Sequence, residues 1–168
     1  VEEVTMFTLE VKIDTQIMNV IKENIIIKTY GVSTAKNGVG EQWGSEKTPR
    51  GWHVIRAKIG ERAPENAVFV GRRMTGEIYS PALRAQFQNR DWILTRIFWL
   101  SGLEKSVNRL GEVDTMRRYI YIHGTPDDVQ MGIPGSKGCI RMRNKDIIEL
   151  FEQVAVGTRI LINADSSL

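Results

Sequence analysis

Residues 7–30 read FTLEVKIDTQIMNVIKENIIIKTY, and this stretch decides the fold class. Phe7, Leu9, Val11 and Ile13 alternate with Thr8, Glu10, Lys12 and Asp14. A period of two sends successive side chains to opposite faces of an extended chain, so the stretch reads as a half-buried strand. Asp14-Thr15-Gln16 is a turn by composition. Residues 17–21 and 25–30 read as two further strands joined by Lys22-Glu23-Asn24. Short links between such strands imply an antiparallel meander.

Outward from the meander, residues 33–51 carry Gly38, Gly40, Gly44, Ser45 and Thr48-Pro49. So much Gly and Pro excludes a helix and predicts an exposed loop of a length that is usually functional. The strand pattern resumes over 52–59, and 67–70 is a short apolar run. Pro81 opens a short helix over 81–89. Residues 92–100 read as a strand and 101–114 as a polar loop; the whole of 76–114 reads as a lid-like insertion. In the strand 119–123, Ile120 and Ile122 share one face, and Tyr119, Tyr121 and His123 the other. Asn144 is placed as an N-cap. Ile147, Leu150, Phe151 and Val154 follow i, i+3, i+4, i+7 spacing, which predicts an amphipathic helix over 145–155. Gly157 ends it, and 159–163 is a last strand. The expectation is a mainly β domain spanning 1–168 with one clear helix, since 168 residues suit one core better than two.

Lys and Arg number 23 against 20 Asp and Glu, a mild excess that suits an acidic substrate without demanding one. A single cysteine excludes an internal disulfide. No run approaches the roughly 18 apolar residues of a membrane-spanning helix. No basic segment followed by an apolar one opens the chain. This favours the cytoplasm if Val1 lies near the native start, and the periplasm or cell envelope if an export signal was trimmed. Arg72, Arg73, Arg84, Arg90, Arg96, Arg109, Arg117 and Arg118 are scattered among acidic residues near Trp92 and Trp99, with no nucleic-acid motif, so no nucleic-acid partner is expected. One Cys and two His without ligand spacing predict no metal, and no cofactor is expected. His53 aligns with Ile55 and Ala57 on a strand and reads as structural; Asp127 and Asp128 read as solvated turn residues. The oligomeric state is not legible.

The chemistry concentrates in residues 121–144, YIHGTPDDVQMGIPGSKGCIRMRN. His123 ends a strand, and Cys139 follows sixteen positions later, straight after Gly138. An imidazole near a thiol makes a usable nucleophile, because the ring takes the proton. Gly124, Gly132, Gly135 and Gly138 crowd the loop and can expose backbone N–H groups to an oxyanion. His123 and Lys137 are both expected to favour the thiolate.

His123-Gly124-Thr125 and Ser136-Lys137-Gly138-Cys139-Ile140-Arg141-Met142 resemble the catalytic segment of the L,D-transpeptidase (YkuD-like) family. Ser33-Thr34 and Thr48-Pro49-Arg50-Gly51-Trp52 resemble its second motif, and Asn144–Asp146 and Gly157-Thr158 also fit. The likeness implies a β-sandwich or barrel of antiparallel and mixed sheets acting on peptidoglycan stem peptides or muropeptides. It implies Cys139 as nucleophile on the bond between diaminopimelate and D-alanine, and His123 as base and then acid. Backbone N–H groups near Gly138 and Cys139 would hold the oxyanion. A carbonyl of Gly124 or Ser136 would orient the ring. Arg141, Lys137 and Tyr121 are the implied substrate contacts. Lys137 departs from the family's commoner His. Water as acceptor would make an L,D-carboxypeptidase of peptidoglycan recycling, the favoured reading; an amine would make a cross-linking transpeptidase, and a non-catalytic peptidoglycan-binding domain is a remote third.

Overall fold

The opening alternation becomes strand β1 (Thr8–Lys12), with Leu9 and Val11 fully buried between outward Thr8, Glu10 and Lys12. The computed structural model describes residues 6–164, so the two ends of the 1–168 span lie outside the described residues. β2 (Ile17–Lys22) pairs antiparallel with β1, and β3 (Ile25–Ser33) with β2, which is the expected meander. Gln16 in the first turn is buried rather than solvated. Its amide bonds Ile13 O and Thr34 Oγ1 and accepts from Thr34 N–H, so the turn clamps the start of the long loop.

The remaining strands close a ring. They are β4 (Gly51–Ile59), β5 (Ala67–Val70), β6 (Arg73–Ile78), β7 (Ile93–Gly102), β8 (Tyr121–Thr125), β9 (Ile140–Arg143) and β10 (Arg159–Asn163). The order is β4-β10-β1-β2-β3-β9-β8-β7, and β7 pairs back onto β4; the β5–β6 hairpin hangs from β7. β1–β10 and β8–β9 are parallel and the other ladders antiparallel, so the architecture is the mixed β-barrel or sandwich anticipated. Helix α1 (Pro81–Gln86) is short and capped by Ser80, whose hydroxyl accepts from Leu83 N–H. Helix α2 (Asn144–Gln153) lays Ile147, Leu150 and Phe151 onto a core that includes Leu9, Phe98, Ile122 and Met142. Each fully buried aliphatic there contributes about 1.5–3 kcal/mol.

Three expectations are corrected. Residues 76–114 are not a lid-like insertion, because β7 lies inside that range and is the strand that closes the ring. A strand buried on both faces loses its alternation, so its apolar run blended with the loops around it. Second, Arg143 occupies the N-cap without a side-chain bond. Asn144 instead turns inward, accepting from Thr95 Oγ1 at 2.7 Å and donating to Asn66 Oδ1 at 2.9 Å, because a buried amide must find polar partners. Third, the strand starts at Tyr121, leaving Tyr119 in a turn at φ 56° with its ring exposed.

His53 is fully buried on β4, as expected of a structural residue. Its Nδ1 donates to Gly51 O at 3.0 Å, so Nε2 accepts from Thr115 Oγ1 at 2.8 Å. Burial pushes its pKa down to about 4. The unfolded ring titrates near 6.5. Between these values the unfolded chain binds the extra proton, so stability is intact above pH 6.5 and is lost as pH falls toward 4. The loss between pH 7 and pH 5 is about 2 kcal/mol for this group. Urea unfolding at both pH values should therefore show His53→Gln closing the gap to wild type by about that amount at pH 5. An unchanged gap would mean the ring is already charged in the fold.

Candidate active site

Parallel pairing of β8 with β9 brings together residues far apart in sequence. Ile122 faces Ile140 and His123 faces Arg141 across the ladder. The turn that feeds β9 thus places Cys139 beside Tyr121, whose N–H donates to Sγ at 3.3 Å. The thiol in turn donates to Tyr119 O at 3.5 Å. Cys139 is half-buried and His123 almost wholly buried, and both line one cavity of about 240 Å³. Tyr121, Ser136, Lys137 and Arg141 line it too, together with Asp91 and Arg118.

The His123 ring is fixed by a carbonyl. Nδ1 lies 2.6 Å from Gly124 O, and a carbonyl only accepts, so Nδ1 carries the proton and Nε2 is the free base. Of the two candidate carbonyls it is Gly124 that holds the ring; Ser136 O accepts from Lys36 N–H. Gly124 is glycine for a steric reason. A Cβ there would fall 2.4 Å from Asn144 Oδ1 and 2.5 Å from Leu94 O. That crowding comes from a bulge in β7, where Thr95 sits at φ 74°, held by its bonds to Asn144 and Asn66 N–H.

The turn before Cys139 is stapled on both sides. Ser136 Oγ donates to Cys139 O at 2.6 Å and accepts from Gly138 N–H at 3.2 Å. Thr48 Oγ1, from the Thr-Pro loop, donates to Gly138 O at 2.9 Å. Gly138 adopts φ +130°, and a Cβ would meet Ile120 Cδ1 at 3.1 Å and Lys47 O at 3.3 Å. The bond to Ser136 corrects one expectation: the Gly138 N–H is already engaged, which leaves the N–H of Cys139 as the candidate oxyanion donor.

The electrostatics correct a second. Burial pushes the Cys139 thiol up to about 12, and the Asp91 carboxylate adds to this; the Tyr121 N–H, Arg141 and Arg118 oppose it. Neither Lys137, which is exposed, nor His123 supplies the opposing charge. Burial also lowers the His123 pKa, and Arg141 adds to this, while Asp91 and the Gly124 carbonyl raise it. Both directions favour the neutral forms, thiol and imidazole, over the ion pair.

Arg141 donates to Gly135 O at 3.1 Å and approaches Asp91 at 3.5 Å. Tyr121 is buried, and its hydroxyl accepts from Arg72 at 3.0 Å. Asp127 and Asp128 are exposed, but each has a partner, Asn144 and Arg84 respectively. Asp91 escaped the sequence reading, and Arg118 entered it only among the scattered arginines. Arg118 donates to Gly40 O, Ser45 Oγ and Lys47 O, tying the long loop to the cavity wall. Its neighbour Arg117 is chemically the same, so only burial distinguishes the two; Asp91 carries no motif at all.

A neutral thiol makes a specific prediction. Iodoacetamide should alkylate Cys139 at pH 7 at least about tenfold more slowly than free cysteine. Asp91→Asn removes a charge that holds the proton on sulfur and should speed the reaction. A wild-type rate equal to that of free cysteine would establish a preformed thiolate instead.

The family model described as the L,D-transpeptidase catalytic domain matches residues 7–162. YkuD of Bacillus subtilis (strain 168) is 51% identical over 47 residues, which is 28% of this chain and 29% of that protein. YbiS of Escherichia coli (strain K12) is 51% identical over 43 residues, 26% of this chain and 14% of that protein. Both carry L,D-transpeptidase in their names, and the matched stretch spans less than a third of either. Among solved structures, the L,D-transpeptidase from Mycobacterium smegmatis superposes with a TM-score of 0.57 at 18% identity, covering 95% of this chain and 59% of that one. Bd1075 of Bdellovibrio bacteriovorus gives 0.60 at 19%, covering 98% and 49%. At such identities the superpositions speak for the fold alone. The matched span runs from the first strand to the last and takes in His123, Gly138 and Cys139, and the chain belongs to the L,D-transpeptidase catalytic-domain family.

Proposed function

We propose that this chain catalyses acyl transfer at the L,D bond between diaminopimelate and D-alanine in peptidoglycan stem tetrapeptides, through a thioester on Cys139. The observation that carries the reading is the shared cavity, in which an oriented imidazole and a thiol face the same space. As Sγ attacks the carbonyl carbon, the thiol proton passes to His123 Nε2 and the oxyanion is held by the Cys139 N–H. The C–N bond then breaks, and D-alanine leaves with the proton from His123. The tripeptide stays on sulfur until a second nucleophile, deprotonated by the same ring, releases it.

The acceptor divides the reaction in two. Water gives an L,D-carboxypeptidase, and the small catalytic cavity, about 240 Å³, suits it. An amine gives cross-linking. A second cavity of about 130 Å³ shares Asp91 and Arg141 with the first, but Arg84 and Arg90 line it as well, so it does not favour an incoming ammonium group. Hydrolysis stays ahead of cross-linking.

Purified protein incubated with tetrapeptide muropeptides should yield tripeptide by mass spectrometry, and cross-linked dimers would assign it to the transpeptidase instead. Cys139→Ala should remove both products while keeping the fold; a turning-over alanine variant would sink the thioester route. The acidic limb of kcat/KM should lie below the ordinary histidine value of about 6.5, because neutral His123 is the active form and burial favours it. Asp91→Asn should move that limb lower still, since the carboxylate is what raises the ring's pKa.

A further inference from the structure

The geometry points to a saccharide subsite beside the catalytic cavity, which takes the amino sugar of a muropeptide while the peptide reaches the cysteine; this rests on the reading above. A hollow of about 490 Å³ is lined by the rings of Trp43, Trp99 and Tyr119 and by Arg72, Arg117 and Glu112. It adjoins the catalytic cavity at Tyr119, which borders both and whose carbonyl accepts the thiol proton. Its volume lies in the range that holds a small organic ligand.

The wall of the hollow is fixed in place. The Arg72 guanidinium stands 4.6 Å from the Trp99 ring centre and 4.9 Å from that of Tyr119, and Tyr121 hydroxyl anchors it at 3.0 Å. Trp99 Nε1 donates to Met116 O at 3.1 Å. The loop bearing Trp43 is tied to the far side by Trp43 N–H on Glu112 O at 2.7 Å. Yet the Trp43 side chain is 55% exposed and Tyr119 is 51% exposed. Two large rings left in water at the mouth of one hollow forgo burial that would otherwise stabilise the fold.

The chemistry selects a sugar. A pyranose offers an apolar C–H face to stack on an aromatic ring, and an edge of hydroxyl and acetamido groups that both donate and accept. The hollow presents that combination: rings for the face, and Arg117 and Glu112, of opposite charge, for the edge. A purely apolar peptide side chain would leave those charges unpaired, and a polyanion would meet Glu112. In the proposed substrate the sugar is joined to the amino end of the stem peptide, the end away from the scissile bond. A neighbouring hollow rather than the catalytic cavity itself is where it must go.

The test compares free tetrapeptide with the disaccharide-tetrapeptide. Wild type should prefer the disaccharide form by roughly three- to tenfold in kcat/KM. Trp43→Ala should erase that preference and leave the free peptide unchanged; Trp43 touches neither Cys139 nor His123 in the structure, and its exposed ring is not part of the core. Equal rates of wild type on the two substrates, or a preference that survives Trp43→Ala, would overturn the subsite while leaving the acyl-transfer reading intact. No turnover of either substrate would instead sink the acyl-transfer reading. The subsite would then be decided by titrating Cys139→Ala protein with the peptide-free disaccharide and following tryptophan fluorescence. Saturable quenching lost in the Trp43→Ala, Cys139→Ala double variant supports it, and a flat titration rejects it.

Discussion

The site depends on how closely β8 approaches β7 at Gly124. The bulge at Thr95 pushes Leu94 O and the Asn144 amide to within 2.5 Å of where a Cβ on Gly124 would stand. That approach fixes the backbone at Gly124, and with it the Gly124 carbonyl that meets Nδ1 at 2.6 Å. The tautomer follows, and Nε2 is left as the base. A left-handed, β-branched Thr95 is costly, of order 1–3 kcal/mol. It persists because its hydroxyl is bonded on two sides, by Asn66 N–H and Asn144 Oδ1. The ring is thus oriented by backbone and core, and among the described residues no side-chain carboxylate is hydrogen-bonded to it.

The same economy governs the sulfur. Its neighbours on the resting structure are backbone groups of Tyr119 and Tyr121, and the charges that bear on it pull in opposite directions. Asp91 holds the proton on, while Arg118 and Arg141 favour its loss. Since Asp91 also approaches Arg141 at 3.5 Å, a substrate carboxylate that took Arg141 would loosen that pair. A substrate carboxylate there would add negative charge near the sulfur, so binding at Arg141 would keep the thiol protonated until His123 takes the proton. A neutral thiol is also spared oxidation and stray alkylation, which attack the thiolate.

The meander, the loop 33–51, the helix α2 and the last strand were legible because each carries a local pattern: alternation, Gly-Pro density, or i, i+3, i+4 spacing. β7 was found as a strand but misjudged in its role, since an apolar run says nothing about which strands flank it. β6 went unseen because Arg73–Ile78 is almost wholly exposed and has no buried face to betray it. At the site, His123, Gly124, Ser136, Gly138 and Cys139 stood out as a cluster in sequence: the first two lie on β8 and the other three in the stapled turn before β9. What sequence could not give was division of labour. That Gly138 N–H serves Ser136, and that Asn144 braces Thr95 rather than capping α2, are facts of partner choice across the barrel. Asp91 and Arg118 are more distant still, since each reaches the cavity from a loop whose path only the folded chain defines.

This division separates chemistry from selectivity. The thiol, the ring and their staples come from β7, β8, the turn into β9 and the Thr48 hydroxyl, crowded to the point where Gly124 has no room for a Cβ. The walls of the cavities come from elsewhere: Trp43 and the backbone that Arg118 ties down from the first long loop, Arg117 and Tyr119 from the segment before β8, and Asp91 from the end of the α1 connection. Those segments are surface loops joined to one another chiefly by side-chain bonds to backbone carbonyls, which constrain position without dictating most of the residues between. Substitution along the loops can therefore alter which part of a substrate is gripped without disturbing the proton path, whereas change at Thr95, Gly124 or Gly138 strikes the path itself. The strain at Thr95 lies on the fixed side of that boundary: it is where freedom to vary ends because two backbones already touch.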